Sequence, residues 1–587
     1  MKRSDFLKSG IGASLGVLAF GKSAADHKPQ KSQSLISSIA RVNDQRVQEL
    51  LNNFDQLIAR NHNRSFSGFI LANSAAYCSK DSDNYRNKNL ISPLEEIAAV
   101  LLRNQYPNGT FDSGNLQSPP DSAFMIEQLW RAQALLINDN SDHTNSLRKL
   151  LQTIILNTSD ALVTGGVHTP NHRWAICAAL AGVHTLYPDP AYPERINDWL
   201  GEGIGQDADG QHPERSPNYD ASVNNQGLLD VAILLKREEL LHYIRKNLEM
   251  TLYLIERNGE VETVASRRQD QDPGRTVMIH RYYIPYRFMA ILDKNSHFAE
   301  IAKQIEENFI SNLSDALPDL LLHEELNQPL PEPEKLPDRY SKYLKGSGLI
   351  RIRREKTTAS VFGGTDWHLG YGAWSGLSTN PTFFKLRKGD AILESVRMSP
   401  AFFSTGYFRS NGLTVVDDSF HLKQERKVPY HQPLPGRYRN RDGRYKLTPD
   451  GRFFSKMDFE KRPKDYKELR LQVVIKEIDE NGAFELEFLV DQTENVPVTV
   501  ELCFRKGGEL TGVLPVENDP DACFLKDGYG SYQVGNDIIH FGPGLKEHTR
   551  PPQPNEQYTV HNGGIQPDGY RVYITGFTPF QHQLKIG

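Results

Sequence analysis

The spacing of apolar residues changes character part-way along this chain, and that change bounds what it can fold into. Between 35 and 312 apolar residues recur at intervals of three and four, as a helix with one buried stripe requires. Stretches with this pattern are 39–58, 94–102, 123–136, 147–155, 175–186, 228–235, 240–255, 286–292 and 298–309. Short connections rich in Gly, Pro, Asn and Asp separate them, such as PNGTFDSGN from Pro107. Pro329, Pro331, Pro333 and Pro337 then crowd one segment, a linker signal. Beyond it the period is two. Phe484, Leu486, Phe488 and Val490 alternate with mostly polar neighbours, as do Val498, Val500, Leu502 and Phe504; LRLQVVIKEI from Leu469 and RVYITGF from Arg571 read as further strands. Helices come first and strands second. Stacked helical pairs fit a bundle, a solenoid or a closed toroid, and the strands fit an antiparallel sandwich.

A chain of 587 residues exceeds one core. Its 38% hydrophobic and 24% charged content is globular. The net charge of −5, with both signs well mixed, gives no support for general nucleic-acid binding, which leaves a basic footprint. The 24 tyrosines suit stacking on sugar rings and equally suit an all-β core. Lys2, Arg3 and Lys8 precede an apolar run from Ile11 to Phe20, too short to span a bilayer. With Ser23 and Ala25 at signal-peptidase spacing, this reads as a cleaved export signal over 1–25. RSDFLK is similar to a twin-arginine signal, with Lys2 in place of the first Arg. The expected location is periplasmic or secreted, with no membrane association after cleavage. Of Cys78, Cys177, Cys503 and Cys523, only the last two are close enough in sequence to pair within one domain, and no C-x-x-C spacing points to zinc.

Chemistry concentrates in two loops. DADGQHPERSPNYD, Asp207 to Asp220, places His212, Glu214, Arg215 and Tyr219 in a Gly/Pro-broken connection between helical stretches. About forty residues earlier, TPNHRW supplies Asn171, His172 and Arg173. Loops carry function more often than scaffolds do, and a His and a Tyr beside an Arg and a Glu can move a proton. The set points to proton abstraction next to a carboxylate. Asn171 and an Arg suit the carboxylate. Tyr219 and His212 are the acid–base candidates. A tyrosine hydroxyl, ordinarily near pKa about 10, needs a neighbouring cation to act as base, and Arg215 or a nearby imidazolium is expected to supply it. Each has a structural reading too: Asn171 as a helix N-cap, Tyr219 as a loop anchor, Arg215 as a surface ion pair. Glu214 is expected to orient Arg215 or His212.

A second group, SRRQDQDPGRTVMIHRYY from Ser266, is dense in Arg267, Arg268, Arg275, His280 and Arg281. Arg275 and His280 are the residues chosen from it for substrate contact. A third, GGTDWHLGYGAW from Gly363, brings Trp367, His368, Tyr371 and Trp374 to the start of the β region, as a subsite wall or a domain interface. His421, Tyr430 and His431 are ambiguous, and Asp417, Asp418 and His421 have only a generic metal-ligand spacing.

These motifs and this helix-then-strand order resemble the heparinase II/III-like and chondroitinase-like polysaccharide lyases. Asn171 in TPNHRW matches that family's Asn element, and DGQHPERSPNY, Asp209 to Tyr219, matches its Asp-Gly to Tyr loop. The family's additional His is not placed by the match. A narrower likeness is to exo-acting lyases that remove rhamnose caps from glucuronate, although no residue here identifies rhamnose. The resemblance implies an (α/α) toroid over 26–328, a Pro-rich linker over 329–345 and an antiparallel β-sandwich over 346–587. It implies β-elimination in an acidic, uronate-containing glycan, with Asn171, His212 and Tyr219 catalytic and His172, Glu214, Arg215, Arg275, His280 and Trp367 binding substrate, and with no cofactor or metal. Two other readings stand beside it. A glycoside hydrolase on the same toroid would need paired carboxylates, for which Asp112, Asp207 and Asp209 are candidates. A non-catalytic glycan-binding protein would use the aromatic clefts alone.

Overall fold

The computed structural model describes residues 34–272, 274–367, 376–450, 454–552 and 568–587. The expected export signal, and His368, Tyr371 and Trp374, lie outside the described residues.

Helices fill the chain from Leu35 to Leu322 and alternate in how much of themselves they bury. His172–Leu186 is buried along almost its whole length, whereas Ala191–Gly201, which follows, buries only Tyr192 and Ile196. The same contrast separates Asn63–Cys78 from Ile91–Asn104. Inner helices therefore need small or apolar residues all round, and outer ones need a single stripe. Inner helix Pro119–Asp139 packs against Asn63–Cys78 and His172–Leu186, and the latter against Gln226–Leu234. The first helix, Leu35–Asn52, packs on Leu317–Leu322, which closes the ring. Arg131 ties it from within: its buried guanidinium reaches Asp230 at 2.6 Å and Asp319 at 2.8 Å.

Among the described residues the strands form two large sheets that sandwich one apolar core. One has nine strands. Its first five, from Arg339–Leu344 to Ala391–Pro400, lie in sequence order, followed by Pro497–Phe504, Tyr570–Phe577, Asp519–Phe524 and Leu514–Val516. The other has eight and includes the long pair Ser419–His431 and Lys464–Glu477. Neighbours are antiparallel except Asp519–Phe524 beside Tyr570–Phe577. Phe484–Asp491 alternates buried and half-buried residues as its sequence requires.

Several expectations change. The strand Arg339–Leu344 occupies residues read as linker, so the β region begins before 346. The stretch 39–58 breaks at Asn53 into two helices. All four cysteines are free. Cys503 and Cys523 sit on strands that flank Tyr570–Phe577 on opposite sides, two strand spacings or about 9.6 Å apart, beyond disulfide reach. Asp417 and Asp418 form the tight turn of a hairpin, with φ of 44° and 61°, and His421 faces Ser419, so they build a turn and not a metal site. No helix among the described residues is long and apolar enough to cross a membrane.

Toroid and sandwich meet through buried charge. The toroid's turn around Gly259 presents Glu256, Glu260 and Glu262, all buried. From the nine-stranded sheet, Arg351 reaches Glu256 at 2.6 Å and Glu262 at 3.4 Å. Lys385 reaches Glu262 at 2.9 Å, and Arg387 and Arg505 reach Glu260 at 2.6 and 2.7 Å. Thr358 and Ser360 donate to Glu256 and Glu262. Burial alone would raise all three carboxyls. The cations outweigh it and hold Glu256 and Glu262 below the usual range and Glu260 at about 2. A depressed carboxyl stabilises the fold above its unfolded pKa of about 4.3 and loses that contribution as pH falls toward the folded value. Thermal melts should therefore drop between pH about 4.5 and about 2. Arg351→Met, which removes the cation shared by two buried carboxylates, should cost about 3–5 kcal/mol at neutral pH. A melt unchanged by that substitution would mean the cluster does not hold the two parts together.

Candidate active site

The loop from Asp207 to Tyr219 is shaped by its own acids. Asp207 accepts from the backbone N–H groups of Asp209 and Gln211, each at 2.9 Å. Gly210 has φ of 98°, and a Cβ there would stand 2.4 Å from the Lys246 carbonyl oxygen, so only glycine fits. Buried Asp270 accepts from Ser216 Oγ at 2.8 Å and Asn218 N–H at 3.2 Å, fixing the loop's end to the segment 266–271. Ser216 then caps the short helical turn that carries Tyr219. A π-helical turn, Asp220–Asn225, follows and leads into the inner helix Gln226–Leu234. Such π turns recur at functional sites. Burial lifts the carboxyl of Asp220 in this turn to about 7, against the donated bonds of Asn224 and Asn247.

Tyr219 is half-buried. Its hydroxyl accepts from Arg268 Nη2 at 3.1 Å, and the same guanidinium lies 4.4 Å from its ring centre. Arg268 is in turn held by Glu214 at 2.7 Å. Burial raises the Glu214 carboxyl and Arg268 opposes that rise. The expected orienting role of Glu214 is thus directed at Arg268. Negative charge forming on the Tyr219 oxygen would meet a preorganised cation and donor.

The second loop approaches the same group. Helix His172–Leu186 packs at its start on the π-helical turn. A Cβ at Gly227 would lie 3.0 Å from the Trp174 carbonyl oxygen, so the two helices touch backbone to backbone. Asn171 is 1% exposed. It makes no N-cap bond. Its Oδ1 accepts from Thr169 Oγ1 at 2.7 Å, while Nδ2 is buried with no protein acceptor. The amide keeps a donor to offer. His172 is also buried, edge-on to His168 at 4.6 Å and to Phe124 at 5.8 Å. Burial first and His168 second bring its pKa down to about 4; Asp121 opposes this, and the Arg268 and Arg64 charges add to it. Arg268 thus holds the Tyr219 hydroxyl and also acts through its charge on His172. Arg64 covers the other side of this wall, 4.7 Å over Phe124.

The remaining expected residues make other contacts. His212 is 2% exposed, neither ring nitrogen has a protein partner, and burial brings its pKa to about 3. It is a neutral imidazole with no hydrogen bond to Tyr219. Arg215 is a strut between the two parts: it donates to the Gly364 and Gly346 carbonyls at 2.8 and 2.9 Å. The cation at Tyr219 is Arg268, not Arg215. Arg275 is exposed, with Asp272 4.0 Å away. His280 turns toward Phe309, and its neighbour Arg281 reaches the loop instead, donating to Asn218 Oδ1 at 2.6 Å. Trp367 lies under the buried Arg409 guanidinium at 4.4 Å. It adjoins the site through Asp366, which binds Arg267 in a fork of two 2.7 Å bonds. The carboxylates proposed for a hydrolase are occupied as staples: Asp112 accepts from the Tyr106 hydroxyl at 2.8 Å, and Asp209 from Gly346 N–H at 2.7 Å. No group of His, Cys, Asp and Glu among the described residues is arranged to hold a metal ion.

Sequence reasoning found the Ser266–Tyr283 segment and chose Arg275 and His280 from it; the members that contact the Tyr219 loop are Arg268 and Arg281. Arg268 and Arg281 were visible only as part of a dense basic run.

No protein-family model matches the chain, and no curated protein matches it in sequence. Solved structures do. A chondroitin AC lyase of Streptomyces coelicolor A3 is 12% identical, covering 96% of this chain and 80% of its own, with a TM-score of 0.55. A Paenibacillus xanthan lyase is 10% identical, covering 94% of this chain and 57% of its own, with a TM-score of 0.53. The chain has a polysaccharide lyase fold, a helical toroid followed by antiparallel β-sheets. At these identities the likeness establishes the fold.

Three substitutions separate the site from its scaffold. Asn171→Ala removes a buried donor that makes no cap. Its melting temperature should stay level or rise, because the unsatisfied group goes with it, while turnover falls about a hundredfold or more. A loss of about 1 kcal/mol with normal turnover would restore the capping role. Arg268→Ala should lower kcat about a hundredfold, and Arg275→Ala should leave it unchanged.

Proposed function

We propose that the protein is a polysaccharide lyase that cleaves a uronate-containing acidic glycan by β-elimination. Two observations carry this reading: the Tyr219 hydroxyl is held by Arg268, and the unpaired buried amide of Asn171 stands at the start of the helix that packs on the π-helical turn after Tyr219. The amide donates to the substrate carboxylate and so acidifies the C5–H. Tyr219 takes the C5 proton, its oxygen stabilised by Arg268. The C5–H electron pair forms the C4–C5 double bond, and the C4–O bond breaks. Tyr219 then returns its proton to the leaving oxygen. His212 is enclosed and makes no hydrogen bond to Tyr219, so this reading gives the exchange to Tyr219 alone. Support for an acidic glycan comes from the fold, since the similar Streptomyces enzyme binds chondroitin sulphate.

The narrower reading, exo-action on rhamnose-capped glucuronate, rests on the sequence likeness. Release of rhamnose from a capped oligosaccharide, with uncapped polymer left intact, tests it. Export rests on the basic and apolar N-terminus, and N-terminal sequencing of protein from outside the cytoplasm should begin near Ala25.

The reaction itself is tested with a panel of uronate polysaccharides, native and carboxyl-reduced. Native substrate should yield a product with the ultraviolet absorbance of a conjugated double bond, and reduced substrate should give none. Tyr219→Phe should slow the native reaction at least about a hundredfold. Equal cleavage of both substrates, without absorbance, would replace the lyase by a hydrolase.

A further inference from the structure

Between the long strands Ser419–His431 and Lys464–Glu477 the chain leaves the outer sheet for residues 432–463. This excursion departs from the rest in composition. It holds nine Lys and Arg against four Asp and Glu, in a chain whose net charge is −5. Arg437, Arg441, Arg444, Lys446 and Lys456 are exposed, and no carboxylate pairs with them among the described residues. Large apolar side chains are exposed beside them: Phe454 at 65%, with Leu447, Met457 and Tyr438. At its two edges Tyr430 and Tyr466 are also exposed.

The described part of this excursion is packed on the sandwich. Leu434, Thr448 and Phe459 are buried beneath it, and Phe459 lies 4.6 Å from the His431 ring. Asn440 accepts from Asp442 N–H at 2.9 Å, and its backbone N–H donates to the Tyr445 hydroxyl at 3.0 Å. A two-residue ladder joins Thr448–Pro449 to Phe454–Ser455. Ordered arginines among exposed rings suit a polyanion with apolar faces, which a sugar chain has and a simple anion lacks.

Its position is set by one strand. Gln424 accepts from Arg409 N–H at 3.1 Å, and Arg409 covers Trp367 next to the candidate site. Seven residues along the same strand is His431, where the excursion begins, about 23 Å away at strand rise. A polymer can reach both places and a short oligosaccharide cannot.

We propose that the face carrying Arg437, Arg441 and Arg444 is a second, non-catalytic binding platform for the acidic polysaccharide, an inference that rests on the glycan reading above. Holding the chain at two places raises the effective concentration of its uronates at the cleft.

The test uses the full chain carrying Tyr219→Phe, so that bound glycan persists. Chondroitin sulphate polymer, its tetrasaccharide, neutral dextran and duplex DNA are titrated at low salt. The polymer should bind about tenfold tighter than the tetrasaccharide. Combined Arg437→Glu, Arg441→Glu and Arg444→Glu should erase that difference, and Lys at the same three positions should restore much of it. Added salt should weaken polymer binding. Full polymer affinity in the Glu variant overturns the platform, as does equal binding of dextran. Tighter binding of DNA than of polymer, with the same arginine dependence, overturns the glycan assignment. Turnover by the otherwise unsubstituted chain is read separately. Arginine-dependent polymer binding without elimination keeps the platform and removes the lyase; elimination with unchanged binding in the Glu variant removes the platform alone.

Discussion

The buried meeting of Glu256, Glu260 and Glu262 with Arg351, Lys385, Arg387 and Arg505 is the interaction on which the rest depends. It lies at the start of one continuous stretch. A few residues later Arg267 forks onto Asp366 of the β region. The next residue, Arg268, holds the Tyr219 hydroxyl. The sheet therefore fixes the backbone from which the toroid's key cation extends. Arg215 repeats the device from the other loop by donating to Gly346 and Gly364. Buried ion pairs add little net stability over apolar packing, yet breaking one is costly. The site sits beside this seam, one residue from the Arg267–Asp366 fork.

The polar groups at the site are arranged unequally. Ser216 and Asn218 donate to Asp270, and Asn224 donates to Asp220, so the floor's acids are satisfied. Asn171 Nδ2 and Glu214 Oε2 are buried without partners. Polar groups left unsatisfied in an otherwise satisfied neighbourhood mark where a polar ligand would gain most. The His172 ring, its pKa lowered by burial, packs edge-on to His168 next to this donor, and the cation that touches the Tyr219 hydroxyl is Arg268.

The sequence revealed structure where burial was one-sided. Phe484–Asp491 and Lys464–Glu477 each bury one face, so the alternation of their residues told their conformation. Asn63–Cys78 buries Ser67, Asn73 and Ser74 along with its apolar residues, which erased the helical stripe. Thr357–Phe362 is buried on both faces, core on one side and toroid on the other, which erased the alternation. At the site, chemistry-bearing loops were legible because Asn, His, Arg and Tyr crowd between breakers. Which side chain turns inward was not. Arg268 and Arg275 are alike in sequence and differ only in that Glu214 and Tyr219 receive one of them. The cation for Tyr219 came from a segment about fifty residues away, a contact no local spacing encodes.

The central claim is that this site breaks a glycosidic bond without water. Mass spectrometry of products formed in oxygen-18 water tests that most directly. Elimination predicts no oxygen-18 in either fragment, with the fragment masses adding up to that of the intact substrate. Oxygen-18 in a newly formed reducing end, with the mass of one water added, would contradict the account.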